Sequence, residues 1–378
     1  MGLALLLLCC LARPGVAAPL PLRVGVLEGV SGTTLASSVE AHVRDARGQE
    51  VGRLAPLEGW QASLQRGLVL LRGPRAQQLR LSSGVRIEAA SQAGTPLVFA
   101  GGRWYRGGLE LRVGKGGLVV INRVDLEAYL YGVVPSEMAA SWPDAALRCQ
   151  AVAARSYVLA NVGKHGKAGY DVCDTDECQV YKGAGSEVLA SNLAVEGTRG
   201  VVLMQGGKVL PAFFHASSGG YTENSEDVWL QRLDHIRAVP DYDQDSPHYT
   251  WHKNVDAAQL TTRLANRGIR VGGLRDLQPV SRSYSGRVRE VRVVGTAATR
   301  TISGETLRLA AGLNSTLFNM APRGEGGGLP TAFVFAGRGW GHGLGMSQWG
   351  ARRLAQAGYA FSQILSHYYP GASLQRLP

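Results

Sequence analysis

Long hydrophobic runs are scarce in this chain of 378 residues. The one clear example, Leu3 to Ala12, spans ten residues, and a helix needs roughly 20 to cross a bilayer, so a stable membrane span is not expected. Charged residues make up only 18%, and no five basic residues occur in a row, which argues against a nucleic-acid stripe although Lys and Arg outnumber Asp and Glu by 40 to 29. Sustained heptads are absent, excluding a long coiled coil. No internal repeat is visible, which excludes a solenoid. Cysteine is rare: Cys9 and Cys10 lie in the apolar run, leaving Cys149, Cys173 and Cys178. An odd count cannot pair completely within one chain.

The apolar run is followed by Arg13-Pro14-Gly15 and the small residues Val16-Ala17-Ala18. Residues 1–18 therefore read as a signal peptide, although Met1-Gly2 supplies no basic n-region. The mature chain is expected outside the cytoplasm, in the periplasm or cell envelope. Glycine is abundant, 50 residues, and hydrophobic residues reach 45%, which suits a turn-rich chain with a real core.

Residues 19–118 alternate apolar and polar positions, as in Leu109-Glu110-Leu111-Arg112-Val113, and read as a β-rich N-terminal region. Residues 119–378 form the remaining unit, with a strand-rich stretch at about 250–325. Asp125 is placed to cap a short helix over Val124–Leu130. Pro143 suits a first helical turn, and Leu147, Ala151, Ala154, Val158 and Val162 then make one helical stripe ending near Gly163. Further helices are expected over 351–356 and 362–368. The pattern predicts an α+β fold, with helices packed on an antiparallel-sheet-rich core.

Glu137 stands in a Pro135-Ser136-Glu137-Met138 turn beside Trp142. Apolar neighbours disfavour its ionised form, and a carboxyl still protonated near neutrality can donate to a leaving oxygen. The plainer alternative is a capping or surface glutamate. Asp144 reads as a helix-dipole residue. No Gly-x-Ser-x-Gly elbow surrounds Ser217 or Ser218, against a serine nucleophile. Gly339-Trp340-Gly341-His342-Gly343 lacks the Gly-Lys-Ser/Thr of a phosphate loop.

Several ordered blocks resemble the stage II sporulation protein D (SpoIID) family and its LytB-type relatives. They are Val134 to Met138, Trp142-Pro143, Gln150 to Tyr157, Cys178 to Tyr181, Phe214 to Gly220, Gly286 to Val288, Gly339 to Ala351 and Tyr368 to Gly371. The resemblance implies a peptidoglycan lytic transglycosylase that cleaves the bond between N-acetylmuramic acid and N-acetylglucosamine and leaves a 1,6-anhydro end. It maps the general acid and base onto Glu137. Arg155, Gln150, Tyr157, His215, Ser217, Ser218, His342 and Gln348 become candidate substrate-binding residues, with tight turns, helix-surface contacts and core packing as the plainer alternatives. No cofactor is required for that chemistry. Because some relatives bind metal in this loop, Cys173, Cys178 and His165 are candidate ligands of a structural zinc, although Glu177 stands where relatives often carry His. A Cys173–Cys178 disulfide is the alternative. Cys149 is expected to be a small buried hydrophobe. The expected partners are glycan strands and other cell-wall enzymes. A noncatalytic glycan-binding or scaffold protein that activates another wall hydrolase is the alternative function.

Overall fold

The computed structural model describes residues 21–91, 94–229, 231–324 and 328–377. The expected signal peptide, with Cys9 and Cys10, lies outside the described residues. No helix among the described residues is long and apolar enough to cross a membrane.

Strands dominate, and the fold is α+β as expected. A seven-stranded sheet runs in the order Val172–Cys173, Pro21–Val30, Gly117–Asp125, Gly108–Gly114, Val85–Ala89, Ala41–Arg44, Glu50–Leu54. All its pairings are antiparallel except that of Val172–Cys173, which lies parallel to Pro21–Val30. A six-stranded sheet holds Gly32–Ser37, Trp60–Gln65, Leu68–Arg72, Gln78–Leu81, Leu97–Ala100 and Arg103–Arg106. The segments read from alternation all form strands, because one face of each sheet meets the core. Both sheets and the helices that follow share one hydrophobic cluster, including Val24, Leu35, Leu71, Ile87, Val120, Val133, Val152 and Tyr368. The expected boundary at 118 falls inside the strand Gly117–Asp125.

That strand leads directly into α1 (Leu126–Glu137). Asp125 caps it, its carboxylate accepting from the amides of Glu127 and Ala128. The helix is longer than the sequence suggests, passing through Pro135 to Glu137. Proline removes one donor, here the one that would serve Tyr131 O, and it does so in the last turn, where Ser136 Oγ also donates to Gly132 O at 2.7 Å. Gly132 has a packing reason: a Cβ there would lie 2.6 Å from the Tyr181 ring.

α2 (Asp144–Ala160) is buried along most of its length. Ala146, Ala151, Ala153 and Ala154 are all buried, and the small side chains let neighbours come close. The neighbours are α1, α3 (Leu189–Gly197), α7 (Gln348–Gln356) and α8 (Phe361–Tyr368). Val162, assigned to the buried stripe, lies beyond the helix end and is exposed. Between them come α4 (Ser225–Trp229), α5 (Ala257–Ala265) and α6 (Gly304–Ala311).

A second hydrophobic cluster belongs to the 250–338 stretch. Leu260 and Leu264 of α5 and Leu307 and Ala310 of α6 pack with Phe318, Phe333 and Phe335, and with Val291 and Val293. Two three-stranded sheets surround it, Thr250–Asp256 with Ala332–Arg338 and Phe318–Arg323, and Leu274–Arg282 with Val288–Gly295 and Thr299–Ser303.

Candidate active site

Glu137 is the last residue of α1, not part of a free turn. Its half-buried carboxyl accepts the Val180 N–H on Oε1 at 2.7 Å. Burial pushes its pKa above the usual carboxylate range. The Val180 amide and Gln348 pull the other way, the Asp176 charge adds to the rise, and Lys182 opposes it. Of the two acids nearest in sequence, Glu127 is paired with Arg155 and Asp144 with Arg148. The acid nearest in the field is Asp176, exposed in the 173–181 loop.

That loop is held residue by residue. Gln179 Oε1 accepts from Tyr129 Oη at 3.2 Å and its Nε2 donates to Ala154 O at 3.2 Å. Tyr181 Oη donates to Asn122 Oδ1 at 3.0 Å. Each is a buried polar contact, so the amide of Val180 between them is fixed against Glu137. From the opposite side comes the start of α7, capped by Ser347. Gln348 Nε2 donates to Gln150 Oε1 at 3.3 Å, and Trp349 packs on Trp142 with centroids 4.9 Å apart. The Arg352 guanidinium lies 4.8 Å from the Trp349 ring centroid. Gln348, which bonds Glu137, is followed directly by the Trp349 of this Trp142–Trp349–Arg352 cluster. Glu137 lines neither of two clefts of about 520 and 390 Å³, which lie at 250–338 and along Gly107–Asp125.

The candidate substrate residues divide. Gln348 reaches the acid. Gln150 is fully buried and acts on it only through Gln348. Tyr157 is buried edge-on against Phe213, which meets the exposed Trp229 at 4.5 Å. His342 packs against Trp229 and His215, 5.6 and 5.5 Å between centroids. Burial lowers the pKa of both histidines, that of His342 to about 4, so both rings are neutral near pH 7. His215 Nδ1 donates to Leu344 O at 3.1 Å.

Three assignments are corrected. Arg155 does not face a groove. Its side chain is 0% exposed and bridges Glu127 at 2.9 and 2.6 Å while donating to Val201 O and Val195 O. Ser217 and Ser218 are buried and donate to the buried carboxylates of Asp243 and Asp241, so neither hydroxyl is free for a sugar. Burial, with Asp243 close by, raises the pKa of Asp241.

Sequence reading missed this acidic pair, Asp241-Tyr242-Asp243, and its cation. Arg287 is buried and donates to Ser218 O at 2.6 Å and Tyr221 O at 2.9 Å. A Cβ on Gly343, at φ 84°, would meet its guanidinium at 2.7 Å, which explains that glycine. The alternating Asp-x-Asp was the one available signal.

Cys149, Cys173 and Cys178 are free thiols, so the Cys173–Cys178 disulfide alternative is not formed. Cys149 is buried as expected, its thiol 3.4 Å from Phe361 O. His165 Nε2 and the two Sγ atoms of Cys173 and Cys178 lie within 4.8 Å of one another, with His165 Nε2 to Cys178 Sγ at 3.3 Å. One imidazole and two thiols converging in this way fit a tetrahedral zinc. The Cys178 thiol's hydrogen bond lowers the pKa of Cys173 and favours its thiolate. Glu177 Oε1 lies 3.6 Å from the same imidazole nitrogen and can supply a fourth donor.

These elements define an α+β protein with one desolvated carboxyl at a helix C-terminus, gripped by a backbone amide and met by the Gln348 side chain. A family profile described as stage II sporulation protein, SpoIID, matches residues 114–205, the segment holding Glu137 and the cysteine pair. A second, a domain of unknown function (DUF8618), matches residues 223–345. The chain is 31% identical over 270 residues to stage II sporulation protein D of Bacillus subtilis, 67% of this chain and 75% of that protein. It is 30% identical over 260 residues to an uncharacterized protein of Brachyspira hyodysenteriae, 68% of each. An amidase enhancer of Bacillus subtilis is 31% identical over 300 residues, 65% of this chain and 40% of that protein. The chain belongs to the stage II sporulation protein D family.

Proposed function

We propose that this chain acts on the bacterial cell wall as an exported peptidoglycan lytic transglycosylase, with Glu137 as its general acid and base. The observation that carries the reading is the environment of that carboxyl: pKa raised by burial, one oxygen held by the Val180 amide, and Glu127 and Asp144 committed to ion pairs. Protonated Glu137 gives its proton to the oxygen between the muramoyl and glucosaminyl sugars, and the C1–O bond breaks. The muramoyl C6 hydroxyl then closes on C1 and returns a proton to Glu137, so no water is consumed. The Val180 N–H stabilises the transient carboxylate, offsetting the burial that keeps the acid protonated beforehand. Trp142 and Trp349 offer apolar ring faces to pyranose C–H groups.

His165, Cys173 and Cys178 would hold a structural zinc. It would tie down the loop that carries Val180, and it takes no part in bond cleavage. The test of the cleavage reading is mass analysis of products from sacculi and from denuded glycan. Wild type yields anhydro ends and Glu137→Gln does not; equal yields from both refute the assignment.

The relative named as an amidase enhancer favours a second reading, a partner that stimulates another wall enzyme. Val188, Leu189 and Leu193 on and beside α3 are exposed apolar side chains that such a partner could cover. Stimulation of a purified wall amidase that survives in Glu137→Gln supports this role, and no stimulation by either protein removes it.

A further inference from the structure

An exposed indole ends a line of rings that starts at Tyr157 on α2. The same helix carries Gln150, which accepts from Gln348, the side chain that bonds Glu137. Tyr157 lies seven residues beyond Gln150. Seven residues are nearly two helical turns, so the two side chains share a face about 10.5 Å apart. The Tyr157 side chain is mostly buried, 7% exposed, yet its hydroxyl makes no hydrogen bond among the described residues and is not enclosed. Burial holds its proton, and the Glu137 charge is among those that reinforce this. It is therefore a neutral donor that lacks an acceptor.

The rings continue from there. Phe213 meets the Tyr157 ring edge-on with centroids 5.7 Å apart, and Trp229 meets Phe213 at 4.5 Å and 69°. His342 supports the same indole at 5.6 Å. Two rings thus brace Trp229, yet 43% of it stays exposed. Its backbone is fixed as well. In α4, Glu226 pairs with Arg237 and Asp227 with Arg289, while Ser225 Oγ accepts the Leu233 N–H at 2.7 Å. Both charges of α4 are therefore paired, and His342 and His215 are neutral near pH 7, so this surface has no free charge with which to recruit an ion. Trp229 is also the one exposed apolar side chain of α4, whereas α3 exposes Leu189 and Leu193 together, as a protein-docking face would. A single braced indole in neutral surroundings suits the C–H face of a pyranose, and the unpaired phenol suits a hydroxyl or carbonyl on the next sugar.

We propose that Trp229 is a stacking platform for an uncharged pyranose of the glycan strand, with the next sugar lying over Phe213 toward the Tyr157 hydroxyl. The inference rests on the glycan-cleaving reading above and adds to it a substrate-binding residue remote from the bond that breaks. Affinity gained at a remote ring holds the strand in register at the acid. The backbone connects the two places: Phe213 O accepts the Met346 N–H at 3.1 Å, and Met346 precedes Gln348 by two residues. Because neither partner of the stack is charged, binding is insensitive to salt.

The test is fluorescence titration of the full chain, in its Glu137→Gln form, with the linear hexamer of N-acetylglucosamine. The hexamer binds equally at low and high salt, and Trp229→Ala weakens it about 10-fold or more. Trp229→Tyr keeps a ring and retains most of the affinity, and Trp340→Ala, which removes an equally exposed indole outside this line, leaves it unchanged. Protection of Trp229 from N-bromosuccinimide by the hexamer, mapped by peptide mass analysis, reads the same contact without a substitution. No hexamer binding, unchanged affinity in Trp229→Ala, an equal loss in Trp340→Ala, or binding that leaves Trp229 unprotected each overturns the proposal. A Trp229→Ala protein that binds the hexamer as before but no longer stimulates a wall amidase overturns it too, and makes the indole a protein contact. Hexamer binding needs no bond cleavage, so wild type that binds but yields no anhydro ends from denuded glycan defeats the cleavage reading alone.

Discussion

Replacing Arg155 separates a structural role from a substrate-binding one. The guanidinium makes two bonds to Glu127 and one each to Val201 O and Val195 O, and Glu127 Oε1 also accepts the Gly200 amide at 3.1 Å. Arg155→Ala would leave a carboxylate, 7% exposed, without its counter-ion. Removing one member of a buried pair costs about 3–5 kcal/mol. For 378 residues unfolding near 60 °C, an entropy of about 2.1 cal/mol/K per residue converts this to a loss of roughly 4–6 °C in Tm. Differential scanning calorimetry reads it directly. The double variant Glu127→Leu/Arg155→Met removes both charges and should recover most of the loss, since well-packed apolar replacements of buried pairs are often neutral. KM for glycan should be unchanged in the double variant. An Arg155→Ala protein with wild-type Tm and a raised KM would refute the buried-pair argument and return Arg155 to the groove.

Other outcomes follow from the same geometry. Because burial raises the Glu137 pKa, the charged form destabilises the fold; Glu137→Gln should therefore raise Tm at pH 7–8, and the gain should vanish below about pH 4, where the unfolded carboxyl is also protonated. Activity should fall as pH rises through that raised pKa, and Asp176→Asn, which removes a charge that raises it, should move the limb to lower pH without loss of low-pH rate. Loss of all turnover in Asp176→Asn would instead make Asp176 a second catalytic carboxylate. Ser217→Ala should cost about 1–3 kcal/mol by leaving Asp243 short of a donor, yet still give anhydro products; abolished turnover at unchanged Tm would revive the serine nucleophile. Purified protein should contain about one zinc per chain, lost with a fall in Tm in Cys173→Ser; two metal-free reduced thiols in the purified wild type would defeat the zinc reading.

What the sequence disclosed and what it hid divide along physical lines. The Asp125 cap of α1 and the stripe of α2 as far as Val158 were readable because periodicity and capping are local. The position of Glu137 was not, because Pro135 reads as a breaker, yet in a final helical turn the loss of one N–H is tolerated and the helix runs on to Glu137. Arg155 misled because its partner is 28 residues away on another helix, and a charged residue on an Ala-rich helix reads as solvent-facing. Ser217 and Ser218 misled for the same reason, their carboxylates lying 26 and 23 residues downstream in a loop. The grip on Glu137 comes from a main-chain N–H, which no side-chain pattern reveals. The thiol–imidazole cluster was reached through the family resemblance, not from the spacing of its three donors.

Polar contacts join the two hydrophobic cores, and this bears on how the acid is kept in place. Arg287, from the 250–338 unit, donates to Ser218 O, and Ser218 in turn donates to Asp241, which accepts Tyr368 Oη of α8. Glu223 draws Ser283 and Ser285 of the same unit, and Asp227 of α4 pairs with Arg289. Such bonds are directional, so they fix orientation where a greasy contact would permit sliding. A Cβ on Gly350 of α7 would lie within 2.1 Å of Tyr368 Oη, so the helix that delivers Gln348 to Glu137 is seated directly on this network. The far unit and the acid are thereby parts of one hydrogen-bonded frame.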